Sequence, residues 1–486
     1  MPMAQPIRVH PSNPKCFEFR GRPLALVTAT EHYGAVMNRP FRFERYLADA
    51  AEKRMTLTRL FVLFRELQSA QNPYSTCKPE SPDYVAPFLR TGPGRALDGQ
   101  PKSDLDRPNP EFFDRLHRFL SLASDYGIIV EVVLLSNTYG DGVWALNPLN
   151  SANNVNGTEE IAWAEYMTLR APRMNGHQLA HVRRIVEETN RYDNVVYELC
   201  NEPGGGLAGG PSVAEVNDWL RAIARTIRET EAGLPNRHLI AAQTAFTYDP
   251  FAQPADLAFA EPAIDIVNIH PLPATTYAGT TYDEGNFMSK ELKLRAVRDF
   301  CLATYRERKP LNLDEDNVAS QYKDYDGWTI HRKRAWTTLL AGCHYDYIDF
   351  SIINYCETGT PDSRRHVRTW MKHLSEFIAS MDLVRARPMP GFLRERPAHI
   401  VESAFAVEGE DYAIYLADGR ELDDAGCGEP IEGHIALDLP GGTYRAACYS
   451  PETGMYSPAI RIEGGERVPI DLPSFRHDLV VRLRRA

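Results

Sequence analysis

Along most of this chain, short apolar, β-branched runs alternate with longer stretches in which apolar residues return every three or four positions. The runs lie at 24–30 (LALVTAT), 56–64 (TLTRLFVLF), 128–135 (IIVEVVLL), 195–200 (VVYELC), 239–243 (LIAAQ), 264–270 (IDIVNIH), 310–315 (PLNLDE) and 347–353 (YIDFSII). Near-continuous apolar runs suit parallel strands covered on both faces, whereas strict alternation marks a half-wet antiparallel sheet. The intervening stretches carry helix punctuation. Asn109 followed by Pro110 offers an N-cap and a first-turn proline, and Gly127 a stop. Ser212 with Glu215 forms a capping box ahead of Val213, Val216, Leu220, Ile223 and Ile227, which share one face. Further helices are predicted at 43–54, 178–189, 287–306, 331–343 and 367–381, with little helical periodicity after the fifth run.

Eight strands alternating with helices predict an α/β fold, a (β/α)8 TIM barrel, with long loops at 66–108 and 137–175 standing over its upper face. A doubly wound open sheet is the rival, and it lacks the GxGxxG expected after a first strand. Helical patterning stops near Met381. The Pro- and Arg-rich stretch 385–397 reads as a linker, and the short alternating runs of 398–486 as a small antiparallel β-sandwich. Residues 1–384 then form the barrel with a short N-terminal β segment.

Composition narrows the function classes. A net charge of −11 with no extended basic cluster argues against a nucleic-acid partner. No apolar run spans a membrane, and the start MPMAQPIRVHPSNP lacks the pattern of a secretory leader, so a cytoplasmic location is expected. Eight scattered cysteines form neither a CxxC pair nor a zinc-spaced set, and HExxH is absent, so neither metal nor another cofactor is expected.

Chemistry gathers at strand ends, where the loops of a barrel converge. Asn201-Glu202-Pro203 follows the fourth run and Asp314-Glu315-Asp316 closes the seventh. Two carboxyls facing each other across the barrel mouth suit glycosidic cleavage, in which one protonates the departing oxygen and the other attacks or activates water. By spacing alone, Asp314 and Asp316 compete with Glu315 for the second role. Arg59, within the apolar LTRLF, needs a buried acid as partner.

These motifs, with VNIHP at 267–271, resemble clan A of the glycoside hydrolases, particularly cellulase-like barrels followed by a small β domain. HYGAVMN (32–38), NNVNG (153–157) and DNVVYELCNEP (193–203) resemble an incompletely characterised bacterial group within that clan. The resemblance covers roughly 7–486. It implies a retaining enzyme with Glu202 as acid/base and Glu315 as nucleophile. Arg59 would hold the nucleophile ionised, Asn201 would contact the sugar 2-hydroxyl, and His270 would lie near the acid/base. The tryptophan that the clan often places at the end of strand eight is missing from FSIINYCE, where Tyr355 would substitute. The clan's frequent strand-six tyrosine gives way to His270 and a later Tyr277.

Further candidate sugar contacts are His32 and Tyr33 beside Glu31, then Asn137, Asn153 and Asn154, with Trp144, Tyr139 and Trp328 as stacking platforms. Local hydrogen bonding and core packing explain these residues equally well. A carbohydrate is thus the expected partner. The alternatives are a catalytically silent carbohydrate-binding barrel and a transglycosylase using the same carboxylates. The sequence does not specify sugar, linkage or oligomeric state.

Overall fold

The computed structural model describes residues 5–31, 34–63, 83–206, 209–243, 245–247, 253–254, 256–270, 275–282, 294–316, 325–420 and 424–486. Its centre is a barrel of eight parallel strands: β1 (Val27–Thr30), β2 (Leu57–Phe61), β3 (Ile129–Val133), β4 (Val195–Glu198), β5 (Leu239–Ala242), β6 (Ile266–Ile269), β7 (Leu311–Leu313) and β8 (His344–Ile348). Hydrogen bonding follows the order β1-β8-β7-β6-β5-β4-β3-β2. The seam between β1 and β2 is closed differently. Thr56 N donates to Val27 O at 3.0 Å, while the Thr56 hydroxyl accepts from Val27 N at 2.9 Å and donates to Ala25 O at 2.8 Å.

Each strand is followed by its helix: α1 (Phe43–Glu52), α2 (Pro110–Tyr126), α3 (Pro172–Thr189), α4 (Val213–Glu231), α5 (Asp256–Ala260), α6 (Leu294–Thr304), α7 (Tyr325–Leu340) and α8 (Val367–Ala379). The caps read from the sequence are present. Asn109 accepts from Glu111 N, and Gly127 ends α2 at φ 74°, where a β-carbon would be strained. Ser212 and Glu215 satisfy each other's backbone N–H groups at the start of α4. Among the described residues, the helix in the weak connection after β5 is the five-residue α5.

A three-stranded antiparallel sheet (Arg8–His10, Asn13–Phe19, Arg22–Leu24) plugs the lower end. There Ile7, Phe17 and Phe19 cluster with Leu57, Ile129, Val196, Ala241 and Ile266 of the barrel strands. These apolar side chains close the floor beneath the polar interior.

Three expectations need correction. The eighth strand is His344–Ile348, not 347–353. HYDYI hides from an apolar scan because His344 and Asp346 are themselves buried. Helix α7 begins six residues before the predicted His331 start (331 − 325), and from Gly327 to Leu340 every residue is buried. A helix enclosed on all sides has no polar face to reveal its period. The expected linker 385–397 instead supplies two strands, β9 (Arg387–Pro388) and β10 (Leu393–Glu395), to the C-terminal domain. Proline and arginine are tolerated there because both strands are short and β9 lies at a sheet edge.

That domain continues with β11 (Ile400–Val407), β12 (Asp411–Asp418), β13 (Ile431–Tyr449), β14 (Ile460–Phe475) and β15 (Asp478–Arg485). They form an antiparallel sheet in the order β9-β11-β12-β15-β13-β10, with β14 paired to β13. Alternation divides its faces. Tyr412, Ile414 and Leu416 enter the domain's own core, whereas Ala413, Tyr415 and Ala417 join the barrel's. The Tyr415 ring stacks on Trp336 of α7. Beside it, the buried Arg332 guanidinium donates to both Asp478 carboxylate oxygens at 2.9 and 2.8 Å, and Lys333 donates to Asp418 O at 2.9 Å.

Removing one partner of a buried ion pair leaves an uncompensated charge. Arg332→Ala is therefore expected to cost about 3–5 kcal/mol in urea unfolding. The apolar interface predicts that barrel and β domain unfold together. An unchanged midpoint, or two separate transitions in the wild type, would contradict this account.

Candidate active site

The three acids closing β7 part company. Asp316 turns outward and accepts from Arg334 of α7 at 2.7 Å and from the Tyr345 hydroxyl at 2.8 Å. Asp314 points into the barrel, 3.4 Å from both Arg59 Nε and His270 Nε2. Glu315 lies between them in chain order and accepts from Arg59 Nη1. Backbone bonds from Asp314 N to Ile269 O (2.9 Å) and from Asp316 N to Asp346 O (3.0 Å) extend the barrel ladder on either side of Glu315. A similar extension runs beyond β4, where Asn201 N donates to Leu135 O at 2.9 Å and Asn137 N to Asn201 O at 3.0 Å. Both Glu202 and Glu315 adopt the left-handed backbone, at φ 47° and 49°. That conformation costs on the order of 1–3 kcal/mol for a residue with a β-carbon and concentrates at functional sites.

Arg59, in the middle of β2, is fully buried. Its guanidinium lies within 4 Å of Glu131, Glu198, Asp314 and Glu315, and it also donates to Asn201 Oδ1 at 3.2 Å. One fixed cation cannot neutralise four buried acids, so protons must supply the rest. Burial, together with the charges of Glu198 and Asp314, holds Glu131 well above the usual carboxylate range. Burial and Asp314 do the same to Asp346.

His270, at the end of β6, is 1% exposed. Its Nδ1 lies 2.8 Å from Glu202 Oε1 and 3.5 Å from Glu315 Oε2. Burial opposes a charged ring, but Glu315, Asp314 and Glu202 outweigh it and hold His270 well above its ordinary value. Around this imidazolium the two glutamates divide in an unexpected sense. Burial would raise Glu202, yet hydrogen bonds from His270 and Tyr139, with Arg59 nearby, bring it below the usual range. For Glu315, burial and the charges of Glu202 and Asp314 prevail over His270 and Arg59 and raise it. The sequence led us to expect the reverse, a protonated Glu202 beside an ionised Glu315. The three groups titrate as one system.

One oxygen of Glu202, one of Glu315 and a ring nitrogen of His270 all lie within 4.8 Å of one another, as do single oxygens of Glu131, Glu198 and Asp314. The second set offers donors a cation would use, and the Arg59 guanidinium already stands among them.

Tyr139 enters this site through its hydroxyl, a role its reading as a stacking ring had passed over. It donates to Glu202 Oε2 at 2.5 Å and accepts from Asn201 Nδ2 at 2.9 Å. Asn137 braces the same corner, donating to Glu202 O at 2.8 Å and accepting from Tyr139 N at 2.8 Å. The structure thus brings together Glu202, Glu315, Arg59, Asn201, His270 and Asn137.

Other candidates lie elsewhere. Asn154 is buried in its own loop, donating to Pro148 O, Asn150 O and the Thr158 hydroxyl. Asn153 accepts from Leu97 N and so ties that loop to the antiparallel hairpin formed by Phe88–Arg95 and Pro101–Pro108. Both asparagines serve as braces. Trp144 is 5% exposed, donates to Ile161 O and packs on Tyr166, which makes it a core residue. Trp328 is buried against His366, and Tyr277 bonds Glu307. Tyr355 stands seven residues past β8 (355 − 348) with 80% of its surface exposed. The strand ends earlier than the sequence suggested, so Tyr355 does not occupy a strand-end position. His32 and Tyr33 lie outside the described residues.

The family described as Domain of unknown function (DUF6298) matches residues 77–168. No curated protein matches the sequence. Among solved structures, a protein described as a glycoside hydrolase aligns over 99% of this chain and 97% of its own, with TM-score 0.64 and 12% identity. A glycoside hydrolase family 5 protein from Bacteroides vulgatus ATCC 8482 aligns over 99% and 94%, again with TM-score 0.64 and 12% identity. A maltogenic α-amylase from Thermotoga neapolitana aligns over 94% and 98%, with TM-score 0.52 and 12% identity. What they share with this chain is the fold. The alignments extend through both the barrel and the C-terminal β domain.

Glu31, at the end of β1, supplies a test of the local electrostatics. It is fully buried and accepts from Gly34 N (2.8 Å) and Ala35 N (3.2 Å). Burial, only partly offset by those bonds, raises it from 4.5 to about 7. Between those two pH values the folded chain binds more protons than the unfolded chain, so this group's contribution to stability falls as pH rises. Glu31→Gln is expected to remove that loss, with wild type and variant diverging from pH 4.5 to 7 by at most about 3 kcal/mol. Thermal unfolding at several pH values measures it, and parallel profiles would contradict the assignment.

Proposed function

We propose that this chain is a retaining glycoside hydrolase acting through Glu202 and Glu315. The observation that carries this reading is the pair of carboxylates at the ends of β4 and β7, with one oxygen of each within 4.8 Å. Retaining enzymes hold their two carboxyls about 5–5.5 Å apart, whereas inverting enzymes leave room for a water between them. The fold shared with glycoside hydrolases supports the reaction class without choosing a sugar.

In the first step Glu315 attacks the anomeric carbon as its bond to the leaving oxygen breaks, and Glu202 passes that oxygen a proton. The proton held on His270 Nδ1, 2.8 Å from Glu202 Oε1, recharges the acid as the glycosidic oxygen approaches. Arg59 meanwhile favours the ionised nucleophile by a charge-assisted hydrogen bond. Glu202 then takes a proton from water, whose oxygen displaces Glu315 and releases the sugar with its configuration retained, and passes that proton back to His270. Asn201, fixed by Arg59 and Tyr139, presents its amide to the 2-hydroxyl.

The test is a panel of aryl pyranosides and furanosides with wild type, Glu202→Gln and Glu315→Gln. Wild-type turnover with retention, followed by NMR of the first-formed anomer, is expected. Glu315→Gln should lose at least about 10³-fold. Glu202→Gln should lose about 10²–10⁴-fold on glycosides with poor leaving groups, and far less of the first step on a dinitrophenyl glycoside, whose departure needs no proton. Equal turnover by wild type and Glu315→Gln would overturn the nucleophile, and inversion would overturn the mechanism. Sugar binding without turnover would identify a silent binding barrel, and sugar acceptors outcompeting water a transglycosylase.

A further inference from the structure

Glu202 has two carboxylate oxygens, and each accepts a hydrogen bond. His270 serves Oε1 at 2.8 Å and the Tyr139 hydroxyl serves Oε2 at 2.5 Å. A carboxyl that accepts on both oxygens is favoured in its ionised form. Both bonds favour the carboxylate over the protonated acid, so Glu202 serves better as a general acid when one of these partners leaves.

The two differ in freedom. His270 is 1% exposed and fixed between Glu202, Asp314 and Glu315. Tyr139 is 38% exposed and sits at φ 55° on the loop that follows β3. The next residue is Gly140, where an added β-carbon would meet nothing within 4 Å. The backbone of Tyr139 is anchored all the same, through its N–H to Asn137 Oδ1, while Asn137 Nδ2 holds Glu202 O. The side chain can therefore turn out while the loop stays attached to the acid.

The bonding pattern of this hydroxyl specifies what replaces it. The Tyr139 hydroxyl donates to a Glu202 oxygen and accepts from Asn201 Nδ2. A sugar hydroxyl between the same carboxylate and amide would make the same two bonds, so the exchange leaves no buried group unpaired. We propose that the Tyr139 hydroxyl is an internal stand-in for a substrate hydroxyl, closing Glu202 and Asn201 on each other until a glycoside displaces it and frees Glu202 to act as acid. Tyr139 is then a positioning residue that couples acid chemistry to occupancy of the site. This rests on the glycosidase reading for its chemistry but not for its binding step.

The sign of the pH effect follows from the groups facing Glu202. Among the described residues these are His270 from β6, Glu315 from β7, Arg59 from β2, Tyr139 from the loop after β3, and Cys200 on its own segment. Tyr139→Phe removes the hydroxyl's bond to Asn201 and, of the bonds to Glu202, the one from Tyr139. That bond favours the carboxylate, so its loss raises the proton affinity of Glu202 and moves the alkaline limb of kcat/KM to higher pH.

The experiment compares wild type, Tyr139→Phe and Tyr139→Ala. It measures kcat/KM against pH on the aryl glycoside that wild type cleaves, and calorimetric Kd for glucose, mannose, galactose, xylose and arabinose. Tyr139→Phe should bind the cognate sugar roughly tenfold more tightly and shift the alkaline limb upward by about one pH unit. The alanine variant, lacking the ring as well, should show the same limb shift. Unchanged affinity and unchanged limb would overturn the proposal. So would equal losses of kcat and kcat/KM at an unmoved limb, which would make the hydroxyl part of the transition-state machinery. A wild type that binds sugar without turnover overturns the hydrolase reading alone, because calorimetry still reports displacement. A wild type that binds none of the sugars and cleaves none of the glycosides overturns both.

Discussion

The barrel interior is organised around one guanidinium. Arg59 leaves β2 and meets Glu131 on β3, Glu198 and Asn201 on or just past β4, and Asp314 and Glu315 just past β7. A side chain that touches four strands of a closed sheet must lie near its axis. Taking this charge out of water is costly, and only several hydrogen bonds of good geometry offset the cost. The planar fork of arginine provides them in three directions at once, which the point charge of lysine does not. Because acids outnumber cations here, burial and neighbouring charges push Glu131 and Asp346 well above the usual carboxylate range, while Arg59 and His270 bring Asp314 below it despite its burial. Glu202, Glu315 and His270 meet at the strand ends beyond them.

This arrangement also explains where the backbone is strained. The ladder bonds made by Asp314, Asp316 and Asn201 carry the order of the sheet right up to Glu202 and Glu315. Each glutamate takes a left-handed turn at that boundary, which swings its carboxylate over the barrel axis instead of along the strand. The conformational cost falls on two residues and is offset by the apolar floor and by the β domain packed on α7. Rigid strands holding a strained, hydrogen-bonded rim are the condition for keeping catalytic groups within a few tenths of an ångström of their working positions.

Much of this was legible in the sequence wherever an element is apolar throughout or along one face, or where a cap has a specific chemistry. Seven strand runs, apolar and buried on both faces, the Asn109 and Ser212 caps and the C-terminal change of period are of that kind. Legibility failed where the buried residues are themselves polar or charged. Strand β8 carries His344 and Asp346 inside the protein, and α7 buries Arg332, Lys333 and Arg334, so neither shows the contrast that pattern reading needs. The candidate site follows the same logic. Strand-end position pointed to Glu202, Glu315 and His270, and an arginine amid apolar residues pointed to Arg59. Glu131, Glu198 and Asp346 were passed over because a single acid in IVEVV, VVYE or HYDYI reads as ordinary alternation. Trp144 and Asn154 were named for their chemistry, and side-chain direction turned both inward.

The reversal at the acid has a wider consequence for how such sites are read. Assigning acid and nucleophile from position treats proton affinity as a property of the residue, yet here it belongs to the company each carboxyl keeps. Glu202 accepts from two donors that favour its carboxylate, one buried at the end of β6 and one on the loop after β3. That loop lies within residues 77–168, the span matched by DUF6298. The same span contains Asn137, Tyr139, the hairpin beginning at Phe88 and the asparagines that brace it. A barrel shared at 12% identity with both a family 5 protein and a maltogenic α-amylase cannot by itself select a sugar. What distinguishes this barrel at Glu202 are the segments that touch it, and this span does so directly through Asn137 and Tyr139.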